Sequence, residues 1–462
     1  MADRIAAQPY AGRDAGAELF GHPRGLTFLF TTEMWERFSY YGMRSLLVLY
    51  MTKYLLLPDH AGNVVGLVGF RHALESVFGP LDVQPLSSQI WGFYTGLVYF
   101  TPIFGGLLAD RVLGRRRTVV IGAVLMAIGH FMMAVEQLFL FALLALILGN
   151  GCFKPNISTQ VGRLYPPGDH RRDRAYSIFY VGINVGAFLA PLVCGTLGER
   201  AGWHYGFAAA GVGMCIGLAI YLYALPVLPA DEVREAKSVA GRQPGPDREQ
   251  GRAIIALLVL FVPNTLFWAT YEQMGVTTIL WIDANVDRTI DLFGWMARIP
   301  TTWFLAFNPF MIFAFTPFVV AFWSRQAERG SEPSTITKMA FGCLGVTVAN
   351  LIKAFAAFHA GAGLASWLWV LGSIAIITVG ELYLSPVGLS FVTKVAPLRM
   401  LSMLMGVWLA TSFAGGFLAG FIGSYWSRMP HVDFFLLVAA IAAGAGAMIF
   451  ACRWFLRGMV GE

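Results

Sequence analysis

The chain is short of charge. Of its 462 residues only 13% are charged, against about 25% in soluble domains, while 57% are apolar. That excludes a soluble globular protein and directs the length into membrane spans of roughly 20 residues each. Cysteine is scarce as well. The five, Cys152, Cys194, Cys215, Cys343 and Cys452, are scattered through apolar runs, which argues against a disulfide framework or a metal cluster, and no metal site is expected. Residues 1–24 mix both charge signs and hold no short apolar run before a small-residue cleavage site. No signal peptide is expected, and the first span should remain as an anchor. The chain also lacks a Gly-x-Ser-x-Gly elbow and a phosphate loop. It offers a cofactor no site, and its pattern is not that of an enzyme.

What is present is a set of twelve apolar runs, at 26–57, 88–110, 117–135, 137–162, 174–197, 203–226, 253–282, 300–323, 335–358, 365–393, 400–427 and 432–456. The basic residues sort by side. Arg4, Arg13 and Arg24, then Arg111 to Arg117, Arg163 to Arg174, Arg234 to Arg252, Arg325 to Lys338, Lys394, Arg399, Arg453 and Arg457 all fall on one face of an alternating topology. Lys53, Arg71, Arg200, Arg288, Arg298 and Arg428 fall on the other. The positive-inside rule then puts both termini in the cytoplasm. It also accounts for most of the net charge of +6, so no nucleic-acid partner is expected.

The polar stretch 229–250 has Pro, Gly and mixed charge without an aromatic residue. It reads as a flexible or partly helical linker, dividing the chain into bundles at 1–228 and 252–462 with a linker at 229–251. Gly105, Gly106, Asp110 and the basic residues Arg111, Arg115, Arg116 and Arg117 suit a tight turn that latches one helix to its neighbour. A similar basic block follows span 8, around Arg325 and Arg329, which supports two related halves of six spans. Across the membrane, 58–87 is the longest loop, with an amphipathic piece near 71–78.

Few charges remain at depth. Glu33, Glu36 and Arg37, followed by Tyr40, Tyr41 and Arg44, share one helical face of span 1. Each charge facing lipid would cost roughly 2.5–3.5 kcal/mol, so the stripe needs a wet or protein-lined interior. The other deep charges are Lys154, Glu272, Glu381 and Lys353. Pro155 beside Lys154 and Pro386 beyond Glu381 predict local helix breaks. Lys353 is near enough to its span end to snorkel. Arg44 fits either the cavity wall or its outer mouth.

The cations Arg37 and Lys154 lie in the first half, and Glu272 and Glu381 in the second. A small zwitterion fits between them: the cations hold its carboxylate, while an acid with Asn184 and Asn308 holds its amine. Tyrosines and Trp408 supply apolar walls with polar tips.

The run Glu33, Glu36, Arg37, Phe38, Tyr40, Tyr41, Gly42 resembles the span-1 signature ExxERFxYYG of the proton-dependent oligopeptide transporters of the major facilitator superfamily. Phe179, Tyr180, Ile183, Asn184 and Gly186 resemble the family's span-5 signature, and the block from Gly380 through Glu381, Ser385 and Pro386 to Ser390 its span-10 block. The resemblance implies an all-α membrane protein with the major facilitator fold, twelve transmembrane helices in two six-helix bundles. It implies a proton-coupled symporter importing di- and tripeptides by alternating access, with protons as the coupling ion and no other cofactor. Glu33, Glu36, Arg37 and Glu272 would serve proton coupling, with Glu272 exchanging a salt bridge with Arg37. Arg37, Tyr40, Tyr41, Tyr99, Lys154, Asn184, Glu272, Asn308, Glu381, Ser385 and Trp408 would contact substrate.

Two departures matter. No His precedes Tyr99 on span 2, so the carboxylates should carry the proton; and 229–250 is too short for the two extra helices of many bacterial members. A bacterial inner-membrane protein, multi-pass and functional as a monomer, is expected. The alternative is a same-fold transporter of nitrate, an amino-acid conjugate or a drug.

Overall fold

A computed structural model of the chain describes residues 18–19, 21–166, 168–231, 248–292, 294–395 and 401–460. Among the described residues, twelve helices have a membrane-spanning length. They are α1 (Arg24–Tyr50), α2 (Val83–Leu113), α3 (Arg115–Met132), α4 (Phe139–Arg163), α5 (Arg171–Arg200) and α6 (Trp203–Ala224) in the first half. The second half holds α7 (Ile254–Asn285), α8 (Trp303–Glu328), α9 (Thr335–Ala360), α10 (Trp367–Val395), α11 (Leu401–Gly423) and α12 (His431–Val460).

Ten of these are apolar enough to cross a membrane on length and composition alone. The other two are α1, with Glu33, Glu36, Arg37 and Arg44 in its middle, and α3, which opens on Arg115, Arg116 and Arg117. Both are carried by packing rather than by their own hydropathy. The arginines of α3 sit at its end, within reach of polar headgroups; Glu33, Glu36 and Arg37 of α1 are enclosed by protein, and Arg44 lines an internal cavity. Most of the linker, 232–247, lies outside the described residues, as do Arg4, Arg13, Arg234, Lys237, Arg242 and Arg399 of the topology count.

The helices gather into two bundles. In the first, α1 packs on α5 and α6, and α3 on α4; in the second, α9 packs on α10 and α12. The bundles meet along α2 with α11 and α5 with α8. The first seam is glycine on glycine. A Cβ at Gly92 would stand 2.8 Å from the Gly420 Cα, and one at Gly416 would stand 2.9 Å from the Gly96 nitrogen. Any larger residue would push the backbones apart.

The face at which α1 begins and α12 ends is the near face; the other is the far face. On the far face, α1 and the last turns of α7 meet. At the near face, α4 and α10 share no extended packing among the described residues. The turn between α2 and α3 lies at the near face. Asp110 accepts from Arg115 at 2.6 Å, and the Arg116 amide donates to Asp231 Oδ1 at 2.8 Å while its guanidinium donates to the Leu228 and Pro229 carbonyls. The expected latch is therefore present, and it holds the chain where α6 ends.

The expected break at Pro155 is not found, and α4 runs through it. Proline leaves the carbonyl four residues earlier without its donor. The neighbourhood is secured instead by Asn156, whose amide donates to the Cys152 carbonyl at 2.8 Å and to the Gly105 carbonyl of α2 at 3.2 Å. Pro386 likewise lies inside a continuous α10. The widened turns lie elsewhere, at Met51–Leu55, Ala109–Leu113, Pro191–Gly195 and Met274–Thr278. The last begins two residues after Glu272.

Candidate functional site

Between the bundles lies a cavity of about 420 Å³. From the first half it is lined by Tyr41 and Arg44 of α1, Tyr99 of α2, Lys154 of α4, and Tyr180 and Asn184 of α5. From the second half come Trp268, Tyr271 and Glu272 of α7, Asn308 of α8, and Glu381 and Ser385 of α10. Of the expected substrate residues, Tyr41, Tyr99, Lys154, Asn184, Glu272, Asn308, Glu381 and Ser385 thus share one wall.

Arg37 and its glutamates stand behind that wall. Arg37 is 3% exposed, Glu33 1% and Glu36 fully enclosed. The guanidinium donates from Nε to Glu36 Oε2 at 2.5 Å and from Nη2 to Glu36 Oε1 at 2.8 Å; Glu33 Oε1 lies 3.3 Å from Nε. Asn150 of α4 adds a long bond to Glu36 Oε1 at 3.4 Å. Glu33 Oε2 is buried without a partner. Tyr40, also enclosed, turns its ring toward Arg37, 5.0 Å from the guanidinium carbon. This is a bidentate Arg–carboxylate pair with a second carboxylate in reserve.

Glu272 does not pair with Arg37. Its partner is Arg44, two helical turns farther along α1, and the pair joins α1 to α7 across the cavity. The Arg44 guanidinium also lies 5.0 Å from the Trp91 ring. Two arginines at i and i+7 occupy the same face of α1, and the tilt between the bundles brings the outer one to α7.

The remaining charges of the wall have no ionic partners. Lys154 Nζ sits 4.8 Å over the Tyr99 ring, and among the described residues no carboxylate lies within 4 Å of it. On the opposite side, Glu381 Oε2 accepts from Tyr271 Oη at 2.8 Å and Asn308 Nδ2 at 3.0 Å, both neutral donors. Thr378 of α10 accepts a further bond from Asn308 at 3.0 Å, which fixes that amide. Asn184 donates to the Tyr180 carbonyl one turn back, at 3.0 Å.

Two expectations are corrected. Trp408 is not in the wall. It is 5% exposed in the core of the second bundle, seated against Gly388 of α10. Lys353 does not snorkel. It is 3% exposed, donates to Thr278 Oγ1 at 2.9 Å and stands 5.0 Å from the Phe435 ring. Among the wall residues outside the expected set are the charged and aromatic Arg44, Tyr180, Trp268 and Tyr271. Their signal was helical spacing: Trp268 precedes Glu272 by four, Tyr180 precedes Asn184 by four, and Arg44 follows Arg37 by seven.

Twelve helices in two bundles around a central charged cavity define the architecture of a major facilitator transporter. The POT family model, PTR2, matches residues 116–240 and 237–435, and the chain belongs to that family. A peptide transporter of Yersinia enterocolitica is 33% identical over 480 residues, covering 89% of each chain. A di-/tripeptide transporter of Lactococcus lactis subsp. cremoris is 31% identical over 505 residues, covering 96% of this chain and 97% of its own. Among solved structures, a peptide transporter POT in complex with alafosfalin is 30% identical with a TM-score of 0.83, covering 97% of this chain and 98% of that one. A POT family transporter in complex with 5-aminolevulinic acid is 27% identical with a TM-score of 0.82, covering 95% and 98%. The family and these relatives are transporters, and the chain is a multi-pass membrane protein of that kind.

Proposed function

We propose that this protein is a proton-coupled symporter that imports di- and tripeptides by alternating access, with protons as the coupling ion and no other cofactor. It works as a monomer in a bacterial inner membrane with both termini in the cytoplasm. The observation that carries this reading is the charge arrangement of the cavity. Among the described residues, Lys154 stands without a carboxylate on one side, and Glu381 without a cation on the other. A peptide has the complementary ends, a carboxylate for Lys154 and an ammonium for Glu381, with Asn308 and Asn184 near the amine. The peptide transporters among the relatives support the substrate class. The neighbour that holds 5-aminolevulinic acid binds another small molecule with an amine and a carboxylate.

Proton uptake acts through Glu33, Glu36 and Arg37. A proton on either glutamate weakens the hold on Arg37, whose guanidinium then becomes a second cation for the peptide carboxylate. The Arg44–Glu272 pair closes the far side while α4 and α10 stand apart at the near face, an arrangement that fits the cytoplasm-facing stage of the cycle. A neutral zwitterion moving with one proton carries one net charge inward, and the membrane potential contributes about 2.3 kcal/mol per 100 mV to that step.

Proteoliposomes loaded with a pH-sensitive dye test the reading. Adding dialanine outside should acidify the lumen, and a panel of dipeptides should compete for uptake where nitrate and free amino-acid conjugates do not. Glu36→Gln should retain exchange of labelled peptide but fail to concentrate it under a proton gradient. Uphill uptake by that variant at the wild-type level would remove Glu36 from coupling.

A further inference from the structure

The far face is poor in cations, with six Lys and Arg residues in all: Lys53, Arg71, Arg200, Arg288, Arg298 and Arg428. Four of these six line one pocket. It has a volume of about 470 Å³ and lies where the bundles meet, with Lys53 and Arg200 from the first half and Arg288 and Arg298 from the second. Lys53, in the widened turn that continues α1, is nine residues beyond Arg44, or about 13 Å at 1.5 Å per residue, so the pocket lies outside the Arg44–Glu272 closure. Two acids line it, Asp283 and Glu199, against four cations.

Those acids are already engaged in joining the bundles. Asp283 pairs with Lys53 across the seam and with Arg288 at 3.2 Å. Glu199 accepts the Thr301 and Thr302 backbone amides at 2.9 and 2.8 Å, capping the start of α8 from the other bundle. Arg288 is 5% exposed, and its Nε–H is buried without an acceptor. The cations nearer solvent are less satisfied still. Arg200 and Arg298 are exposed, and among the described residues neither has a carboxylate within 4 Å; Arg200 donates to the Arg298 carbonyl at 3.1 Å. A further acid, Asp287, is felt by Arg298. Its carboxyl is held below the usual carboxylate range chiefly by the Thr289 amide, with a smaller contribution from Arg298. The pocket therefore has unused donors and a surplus of positive charge, at a face where topology keeps such charge low.

We infer that this pocket is a reception site for the terminal carboxylate of a peptide arriving from outside. The inference rests on the peptide-import reading above. Rim cations steer an anionic group and raise its arrival rate. Once seated, the carboxylate competes with Asp283 and Glu199 for Lys53 and Arg288. It loosens the pairs that hold the far face shut, so arrival of substrate and opening of that face are linked.

The test is sidedness of transport in the double variant Arg200→Gln/Arg298→Gln, whose positions are exposed and outside the central cavity. In intact cells the KM for a labelled dipeptide should rise about fivefold with kcat unchanged, and the rise should shrink as salt is added. In inside-out vesicles, where the near face takes up the peptide, KM should equal that of wild type. An unchanged KM in cells overturns the inference, and so does an equal rise in both orientations, which marks a structural effect. Proteoliposomes with and without anionic lipid identify the anion: an effect that vanishes when anionic lipid is left out assigns the pocket to lipid phosphate and overturns it too. A wild-type protein that takes up no dipeptide in either orientation overturns both readings, whereas the other failures overturn this one alone.

Discussion

Replacing Glu272 by Gln strands Arg44. The two side chains are 7% and 15% exposed, and their pair is the central ionic link between α1 and α7 in this conformation. Removing one partner of a buried pair costs roughly 3–5 kcal/mol, because the remaining charge loses its compensation. Arg44 also lines the cavity and lies over the Trp91 ring, so the lower end, about 3 kcal/mol, is the better guide. Alternating access, as proposed, separates α1 from α7 at the far face, so on that reading the whole cost falls on the closed state. A shift of about 3 kcal/mol changes the ratio of closed to open by roughly 100-fold. A protein closed at 100 to 1 would then populate both states comparably. Spin labels at Tyr205 of α6 and Met296 before α8, which are 53% and 73% exposed on opposite halves of the far face, report this directly. In a background without the five native cysteines, wild type should give one short distance and Glu272→Gln a second, longer one. Adding Arg44→Gln removes the stranded charge, so the double variant should cost the closed state less than the sum of the two singles. A distance distribution unchanged by Glu272→Gln would refute the reasoning, because the pair would then carry no conformational energy.

Three further outcomes follow from the same contacts. Lys154→Ala removes the one cation presented to the cavity without a carboxylate, so peptide binding should weaken by about 10- to 100-fold, the worth of a charge-assisted hydrogen bond, in both exchange and uphill uptake. Lys353→Met replaces a buried ammonium, whose single hydrogen bond is to the Thr278 hydroxyl, with an apolar chain of similar length; thermal unfolding in detergent should show a gain of about 1–3 kcal/mol, and a loss would mean that the ammonium has an anionic companion. At the near face, Asp169 is held below the ordinary Asp value of 3.8 chiefly by its hydrogen bonds to Arg171, so this clasp is fully held above that pH and released as pH falls through the lower folded value, read as a loss of amide protection at residues 168–171 measured against the intrinsic exchange rate at each pH.

The span-1 stripe was legible because its chemistry has one escape. Three charges in an apolar run must face protein or water, and period 3.6 puts them on one side. The same logic found Lys154, Glu272 and Glu381. What it could not supply was register between helices. Arg37 and Arg44 present the same face of α1 about 10 Å apart, and only the packing of α1 against α7 decides which meets Glu272. Trp408 failed for a related reason. An aromatic in a helix without a charged residue has no charged face to betray its direction, and its socket is made by Gly388 on another helix. Lys353 was judged by its distance from the span end, but α9 is wrapped by α10 and α12, and its lysine is turned inward at Thr278. The helix distortions also moved: proline positions are readable, yet α4 runs through Pro155 without a break, while the widened turn in α7 has no proline beside it.

The two charge systems of the site are separated by function as well as by distance. The Arg44–Glu272 pair balances itself, so it can open or close without a change in net charge. The inner group does not balance itself. Glu33, Glu36 and Arg37 sum to one negative charge, and adding Lys154 brings the four to zero. A peptide carboxylate seated on Lys154 returns the group to one negative charge inside a low-dielectric protein, where uncompensated charge is expensive. One proton on a glutamate restores neutrality. It also frees Arg37, whose bonds to Glu36 were the tightest in the group, to face the incoming carboxylate. On this reading coupling needs no dedicated relay: carboxylate and proton enter together because each without the other leaves the enclosed cluster charged, and one proton per carboxylate is the smallest count that closes the balance.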